Sequence, residues 1–239
     1  SAVSRGLGDV YKRQELDARS NKAANALKKL GIKKGSHIGI YAFNCVEWLE
    51  IMLGAYKLCA IPININYRYV EEELKYLIDN ADMEAIFYHK QFSNKLENIK
   101  SHLPLLKDFI CIEDDSGEDD VIDKSFNFED LIANEDESRL DVDRSGDDKY
   151  ILYTGGTTGM PKGVMQTYRV FNACIASMLV SFEFDAADRH LVVAPMTHGA
   201  NTLIMPIFAV GGTQLFTQNK TPAGIINAIQ TLRATTVYV

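Results

Sequence analysis

The sequence runs to 239 residues, 46% of them apolar and 24% charged, with a formal net charge of −7. That apolar content is ample for a packed core, and the length allows one large domain or two small ones. No run of 18 apolar residues exists to span a membrane, no secretory h-region opens the chain, and no basic patch with interleaved aromatics offers a nucleic-acid surface, so a cytoplasmic chain is expected.

The negative charge is local. Residues 113–148 hold 16 Asp or Glu against 3 Lys or Arg, so the remainder of the chain is net positive by 6. Such a segment reads as an acidic, solvated connection, and the positive remainder suits a polyanionic nucleotide ligand. Cys45, Cys59, Cys111 and Cys174 are scattered without metal-ligand spacing, which predicts buried free thiols.

In chain order, residues 1–14 are expected to stand outside the native fold, because Asp9-Val10-Tyr11-Lys12-Arg13-Gln14 matches a translation of a transposase-end sequence used in DNA library preparation. From Leu16, the residues Ser20, Ala23, Ala24, Leu27 and Leu30 recur at helical spacing and Gly31 supplies a stop. A strand follows at 36–41, then a helix capped by Asn44 and running through Leu58, with Val46, Leu49, Leu53 and Tyr56 as its buried stripe. A helix at 70–80 and a strand at 85–88 come next. Strands and helices alternating at this spacing predict parallel pairing with right-handed crossovers, hence an α/β fold with a layered parallel sheet. Trp48 and Tyr56 are expected in the core and Arg68 on the surface. A helix to His102 and a strand at 109–112 precede the acidic connection, which carries a short amphipathic turn around Phe128 and Leu131.

Tyr150–Thr154 reads as a strand entering the densest run of chemistry in the chain, Tyr153-Thr154-Gly155-Gly156-Thr157-Thr158-Gly159-Met160-Pro161-Lys162-Gly163. Glycines let backbone N–H groups approach an anion, Thr154, Thr157 and Thr158 add hydroxyl donors, and Lys162 adds a point charge, so the run reads as a phosphate cradle. It is not a Walker A loop: no Gly sits four residues before a Gly-Lys pair, and Gly163 stands where a metal-binding Ser or Thr is required. Beyond it, Thr167 can cap a helix over 168–180. Leu191–Pro195 reads as a buried strand that ends at His198 and Gly199, which suits a pocket residue at a strand's carboxyl end, whereas His190 reads as structural. A helix at 201–210, a strand at 213–216, a helix opened by Thr221-Pro222 and a strand from Thr235 complete the chain.

The glycine run resembles the signature loop Y-T-S-G-T-T-G-x-P-K-G of the adenylate-forming superfamily, which comprises acyl-CoA synthetases, peptide-synthetase adenylation domains and luciferases. It matches every fixed position except Gly155, where the family more often has Ser. Gly31-Ile32-Lys33-Lys34-Gly35, Asn44–Glu50 and Gly54-Ala55-Tyr56-Lys57-Leu58 follow the superfamily's N-terminal order, and Pro195-Met196-Thr197-His198-Gly199 is similar to the P-x-x-H-G form of some bacterial acyl-CoA synthetases. Thr167-Tyr168-Arg169-Val170 departs from the family's Thr-His-Arg-Asn. The resemblance covers 15–239 and implies an incomplete N-terminal, AMP-binding domain of the adenylate-forming fold.

It further implies that ATP activates a small-molecule carboxylate to an acyl-adenylate, which CoA then takes up as a thioester. Thr154, Gly155, Gly156, Thr157, Thr158, Gly159 and Lys162 would grip the phosphates, with Lys162 as the catalytic charge, while His198 and Gly199 would border the acyl group. Mg²⁺ would accompany ATP through ligands that this sequence does not identify. The family's later motifs would have to come from a missing C-terminal portion of the same enzyme. Two other readings stand beside this one: an adenylation domain serving a carrier protein, and a non-catalytic nucleotide-binding fragment.

Overall fold

The computed structural model describes residues 2–4, 10–154, 159–197, 199–217 and 219–238. In chain order these form β1 (Ala2–Ser4), β2 (Val10–Lys12), α1 (Arg13–Lys29), β3 (His37–Tyr41), α2 (Val46–Leu58), β4 (Ile61–Asn64), α3 (Glu71–Asn80) and β5 (Ala85–His89). There follow α4 (Ser93–Ile99), β6 (Asp108–Ile112), β7 (Phe126–Asn127), α5 (Phe128–Ala133), β8 (Lys149–Thr154), β9 (Lys162–Thr167) and α6 (Tyr168–Ser181). The chain ends with β10 (Arg189–Val192), α7 (Gly199–Ala209), β11 (Thr213–Leu215), α8 (Pro222–Thr231) and β12 (Thr236–Tyr238).

The chain divides into two compact units. One comprises Ala18–Phe43 and Glu47–Tyr168. Its main sheet has the order β4-β3-β5-β6-β7 with every neighbour parallel. Strands covered on both faces read as near-continuous apolar runs, and all five residues of β5 are buried. Pro62 is accommodated because β4 is an edge strand, where a missing N–H breaks no ladder. Helix α1 ends where Gly31 takes φ +90°, a conformation that costs glycine nothing.

β8 and β9 form a separate antiparallel hairpin in the same unit. A strand at Lys162–Thr167 was not expected from the sequence, because Gly163 lowers strand propensity and only Val164 and Met165 are apolar there. The acidic connection also differs from a solvated stretch. Ile122, Phe128, Ile132 and Leu140 are buried, and the chain around them lies along α1, where Lys22 pairs with Glu137 at 3.2 Å and Lys29 with Glu135 at 2.8 Å. Asn25 Nδ2 donates to the Asp136 and Ser138 carbonyls.

The other unit holds the described residues up to Asp17, Asn44–Val46 and those from Arg169 onward. Its sheet has the order β12-β10-β11-β1-β2, parallel throughout except for the β1–β2 pair. Residues 2–4 and 10–12, within the expected leader, thus pair onto this sheet. Thr221 caps α8, its Oγ1 accepting from Gly224 N at 3.1 Å, with Pro222 opening the helix. All four thiols are free; Cys59 and Cys111 are buried, but Cys174 is exposed and Cys45 half-buried, against the expectation of burial.

Candidate functional site

The described residues that flank the phosphate-cradle run stand at the connected end of the β8–β9 hairpin, where β8 stops at Thr154 and β9 starts at Lys162. Thr154 pairs directly with Lys162 in the register, so their side chains leave the same face, about 5 Å apart at Cβ. Both are exposed, and Thr154 Oγ1 donates to the Lys162 carbonyl at 3.4 Å. Gly155, Gly156, Thr157 and Thr158 lie outside the described residues. Gly159 is exposed, with open space where a Cβ would stand. A threonine and a lysine side chain therefore leave one face beside a glycine-rich connection, residue types that can orient and neutralise a phosphate.

What holds this end of the hairpin was not legible in the sequence. A Cβ on Gly163 would meet the Tyr153 ring at 3.1 Å and Ile151 Cγ2 at 3.0 Å. The missing side chain lets Tyr153 lie across the hairpin, and its hydroxyl donates to Asn80 Oδ1 at the end of α3 at 2.8 Å. Burial pushes the Tyr153 hydroxyl up in pKa, so it stays a donor.

At the hairpin's other end Tyr168 N donates to Asp148 O at 3.0 Å, Ser145 N to Asp148 Oδ2 at 2.8 Å, and Lys34 Nζ pairs with Asp148 Oδ1 at 2.8 Å. Tyr168, which stands where members of the superfamily that the sequence resembles often carry His, stacks on Tyr150 and meets Tyr56 edge-on at 5.4 Å. Burial raises the pKa of both Tyr56 and Tyr168, which keeps these hydroxyls neutral and gives the Tyr168 position no imidazole-like proton chemistry.

In the other unit, β10 leads through 193–197 to His198, which itself lies outside the described residues. Thr197 is buried and its hydroxyl meets no partner among the described residues. Gly199 opens α7, and a Cβ there would lie 2.6 Å from two ring carbons of Tyr238. Beside this contact lies a cleft of about 400 Å³ walled by Met178, Phe182, Phe184, Leu203, Val237 and Tyr238, within the range of small-molecule sites. Sequence reasoning named Gly199 but none of these walls, which come from three separated stretches.

Asn44 does not act as the expected cap. Helix α2 begins at Val46, and the Asn44 amide is engaged instead by Val192, Ala194 and Met196. His190, fully buried, donates from Nδ1 to Gln214 Oε1 at 2.7 Å, and Gln214 Nε2 donates to Ile204 O. Desolvation lowers the His190 pKa, in keeping with a structural imidazole. Trp48 is buried and Arg68 exposed.

Among the described residues no helix is long and apolar enough to cross a membrane, and no group of three His, Cys, Asp or Glu side chains is placed to hold a metal ion. A family model described as AMP-binding enzyme matches residues 6–239. The chain is 36% identical over 239 residues to a medium/long-chain-fatty-acid–CoA/3-oxocholest-4-en-26-oate–CoA ligase of Mycolicibacterium smegmatis, covering 93% of this chain and 43% of that protein. It is 43% identical over 151 residues to a 3-oxocholest-4-en-26-oate–CoA ligase of Rhodococcus rhodochrous, covering 63% and 27%. Among solved structures, the anthranilate CoA ligase AuaEII in complex with anthranoyl-AMP superimposes with a TM-score of 0.92 at 20% identity, over 100% of this chain and 46% of that one. The chain thus spans less than half the length of these relatives.

Proposed function

Because the chain belongs to the family of AMP-binding enzymes, we propose that it supplies the N-terminal part of an acyl-CoA synthetase, an acid–thiol ligase that forms AMP. The observation that carries this reading is the Thr154–Lys162 pair, in register at the mouth of the glycine connection. In the first half-reaction a carboxylate oxygen attacks the α-phosphorus of ATP, the new P–O bond forms, and the bond to pyrophosphate breaks. The obstacle is charge, since an anion approaches an anion. Thr154, the glycine N–H groups of 155–159 and Lys162 bind the phosphates and offset the charge that builds on the departing pyrophosphate. Mg²⁺ belongs to this reading as a counter-ion of the phosphates, and none of the described residues is assigned to it. In the second half-reaction the CoA thiol attacks the acyl carbonyl and AMP departs.

The acyl group is assigned to the cleft beside Gly199, with His198 at its border. Walls of Met, Phe, Leu and Val favour a long apolar chain over a polar acid, in line with the fatty-acid and cholestenoate substrates for which the two curated relatives are named. Those names favour CoA over a carrier protein as the acceptor. The remaining catalytic groups come from a C-terminal portion of the same enzyme, and a cytoplasmic location belongs to this reading.

The test is carboxylate-dependent pyrophosphate–ATP exchange in the polypeptide extended to its relatives' length. Lys162→Ala should slow exchange by about 10- to 1000-fold, as expected when one transition-state charge partner is lost. Exchange at the wild-type rate in that variant would remove Lys162 from the mechanism, and no exchange with any fatty or steroid acid in the wild type would remove the reading.

A further inference from the structure

We infer that Asn44 is a positioning residue for the acyl site, holding the segment 193–197 that leads toward Gly199 at the start of α7; the inference rests on the acyl site proposed above. The pairing of β10 with β11 runs to Leu191↔Leu215, and its pairing with β12 runs to Val192↔Tyr238. Past those residues no strand among the described residues is paired with the main chain, yet it continues to a buried Met196 and Thr197. Buried main-chain groups need partners, and a single side chain provides three of them. Asn44 Nδ2 donates to Val192 O at 3.3 Å and to Ala194 O at 2.8 Å, and Asn44 Oδ1 accepts from Met196 N at 2.9 Å.

The spacing is informative. Residues 192, 194 and 196 alternate as on one edge of an extended chain, so the amide acts as a one-residue strand that carries the ladder past the end of β11. Only a carboxamide offers two donors and an acceptor at once. A carboxylate of the same shape would set its lone pairs against two carbonyls, and a hydroxyl would satisfy one of them. Asn44 is 7% exposed, so water is a poor substitute. It does not line the cleft; it acts through the backbone that leads toward Gly199, which lies so close to Tyr238 that a side chain there would meet the ring.

The test uses this chain with Asn44→Asp and reads two quantities. Amide hydrogen exchange at Met196 should rise at least ~10-fold while Ile40 and Phe87, in the parallel sheet of the other unit, stay unchanged, as a local opening requires. In parallel, calorimetry with dodecanoate as the probe should show affinity falling by about 10-fold or more while Mg·ATP affinity moves less than about 2-fold, a split that general destabilisation would not produce. Unchanged exchange at Met196, or faster exchange with wild-type dodecanoate affinity, overturns the inference. A wild-type chain that takes up no dodecanoate counts against the acyl reading itself, and the exchange result then decides alone whether Asn44 orders the segment. Should Asn44→Asp fail to fold, Asn44→Ser, which keeps one donor, is read the same way with an intermediate effect expected.

Discussion

Gly163 is the residue whose missing side chain sets the mouth of the proposed phosphate loop. Its neighbours at 3.0–3.1 Å are side-chain atoms of Ile151 and Tyr153, so a methyl group there must shift the Tyr153 ring and Ile151 slightly from their places on the hairpin. Gly163→Ala is expected to destabilise the chain by about 1–2 kcal/mol, the usual cost of overpacking less the propensity gained by replacing glycine in a strand. Tyr153→Phe keeps the ring and removes only the hydroxyl bonded to Asn80, so its expected cost is about 1 kcal/mol. Urea unfolding of both variants and of the Tyr153→Phe, Asn80→Ala pair checks this. If the single losses simply add in the double variant, the hydroxyl and Asn80 are not coupled and the anchor is misassigned.

At the scale of elements, one arginine ties three helices of the larger unit together. Glu50 on α2 is fully buried and takes a two-pronged bond from Arg19 on α1, at 2.8 and 2.9 Å, while Arg19 also reaches Glu129 on α5 at 3.0 Å. Desolvation opposes the guanidinium charge, but the hydrogen bonds to Glu50 and Glu129 outweigh it and raise the Arg19 pKa. Arg19→Met should cost about 2–3 kcal/mol because it removes the two-pronged, charge-assisted bond to a buried carboxylate, and a urea midpoint unchanged from the wild type would mean that the pair contributes nothing to stability. The base of the β8–β9 hairpin has a pH signature of its own. Desolvation works against the Asp148 carboxylate, yet bonds from Lys34 and Ser145 N hold its pKa below the usual carboxylate value. A depressed pKa contributes stability above the unfolded value of about 3.9 and loses it as pH falls through that value toward the folded one. Asp148→Asn should therefore be less stable than the wild type at pH 7 and should lose less on acidification from pH 5 to pH 3, as followed by thermal melts at each pH.

Across the whole molecule, the parallel sheet, the stop at Gly31, the Thr221 cap and the helix after Thr167 were readable because each rests on a local signal: periodicity, a left-handed glycine, a hydroxyl before proline. The β9 strand, the Asn44 ladder and the docking of the acidic connection were not, since each depends on a partner remote in sequence. Asn44 in particular carries the same residue type and position that a helix cap would, and only the arrival of Val192–Met196 decides between the two uses. The glycine run was legible as a phosphate motif from residue types alone, whereas the cleft walls needed the fold. One further property follows from what the fold leaves uncovered. Helix α6 has no buried residue, Val180 is 88% exposed and Phe182 50%, and at the sheet edge Tyr238 of β12 is 44% exposed. Apolar faces of this kind are covered in stable monomers, and an open strand edge invites pairing. This chain by itself should therefore self-associate as its concentration rises, and Val180→Lys together with Phe182→Ser should suppress the larger species in sedimentation velocity without altering the far-ultraviolet spectrum. A wild-type chain that sediments as a monomer throughout would mean that these faces are covered in solution by a rearrangement of α6, and the same variants would then lower its melting temperature instead.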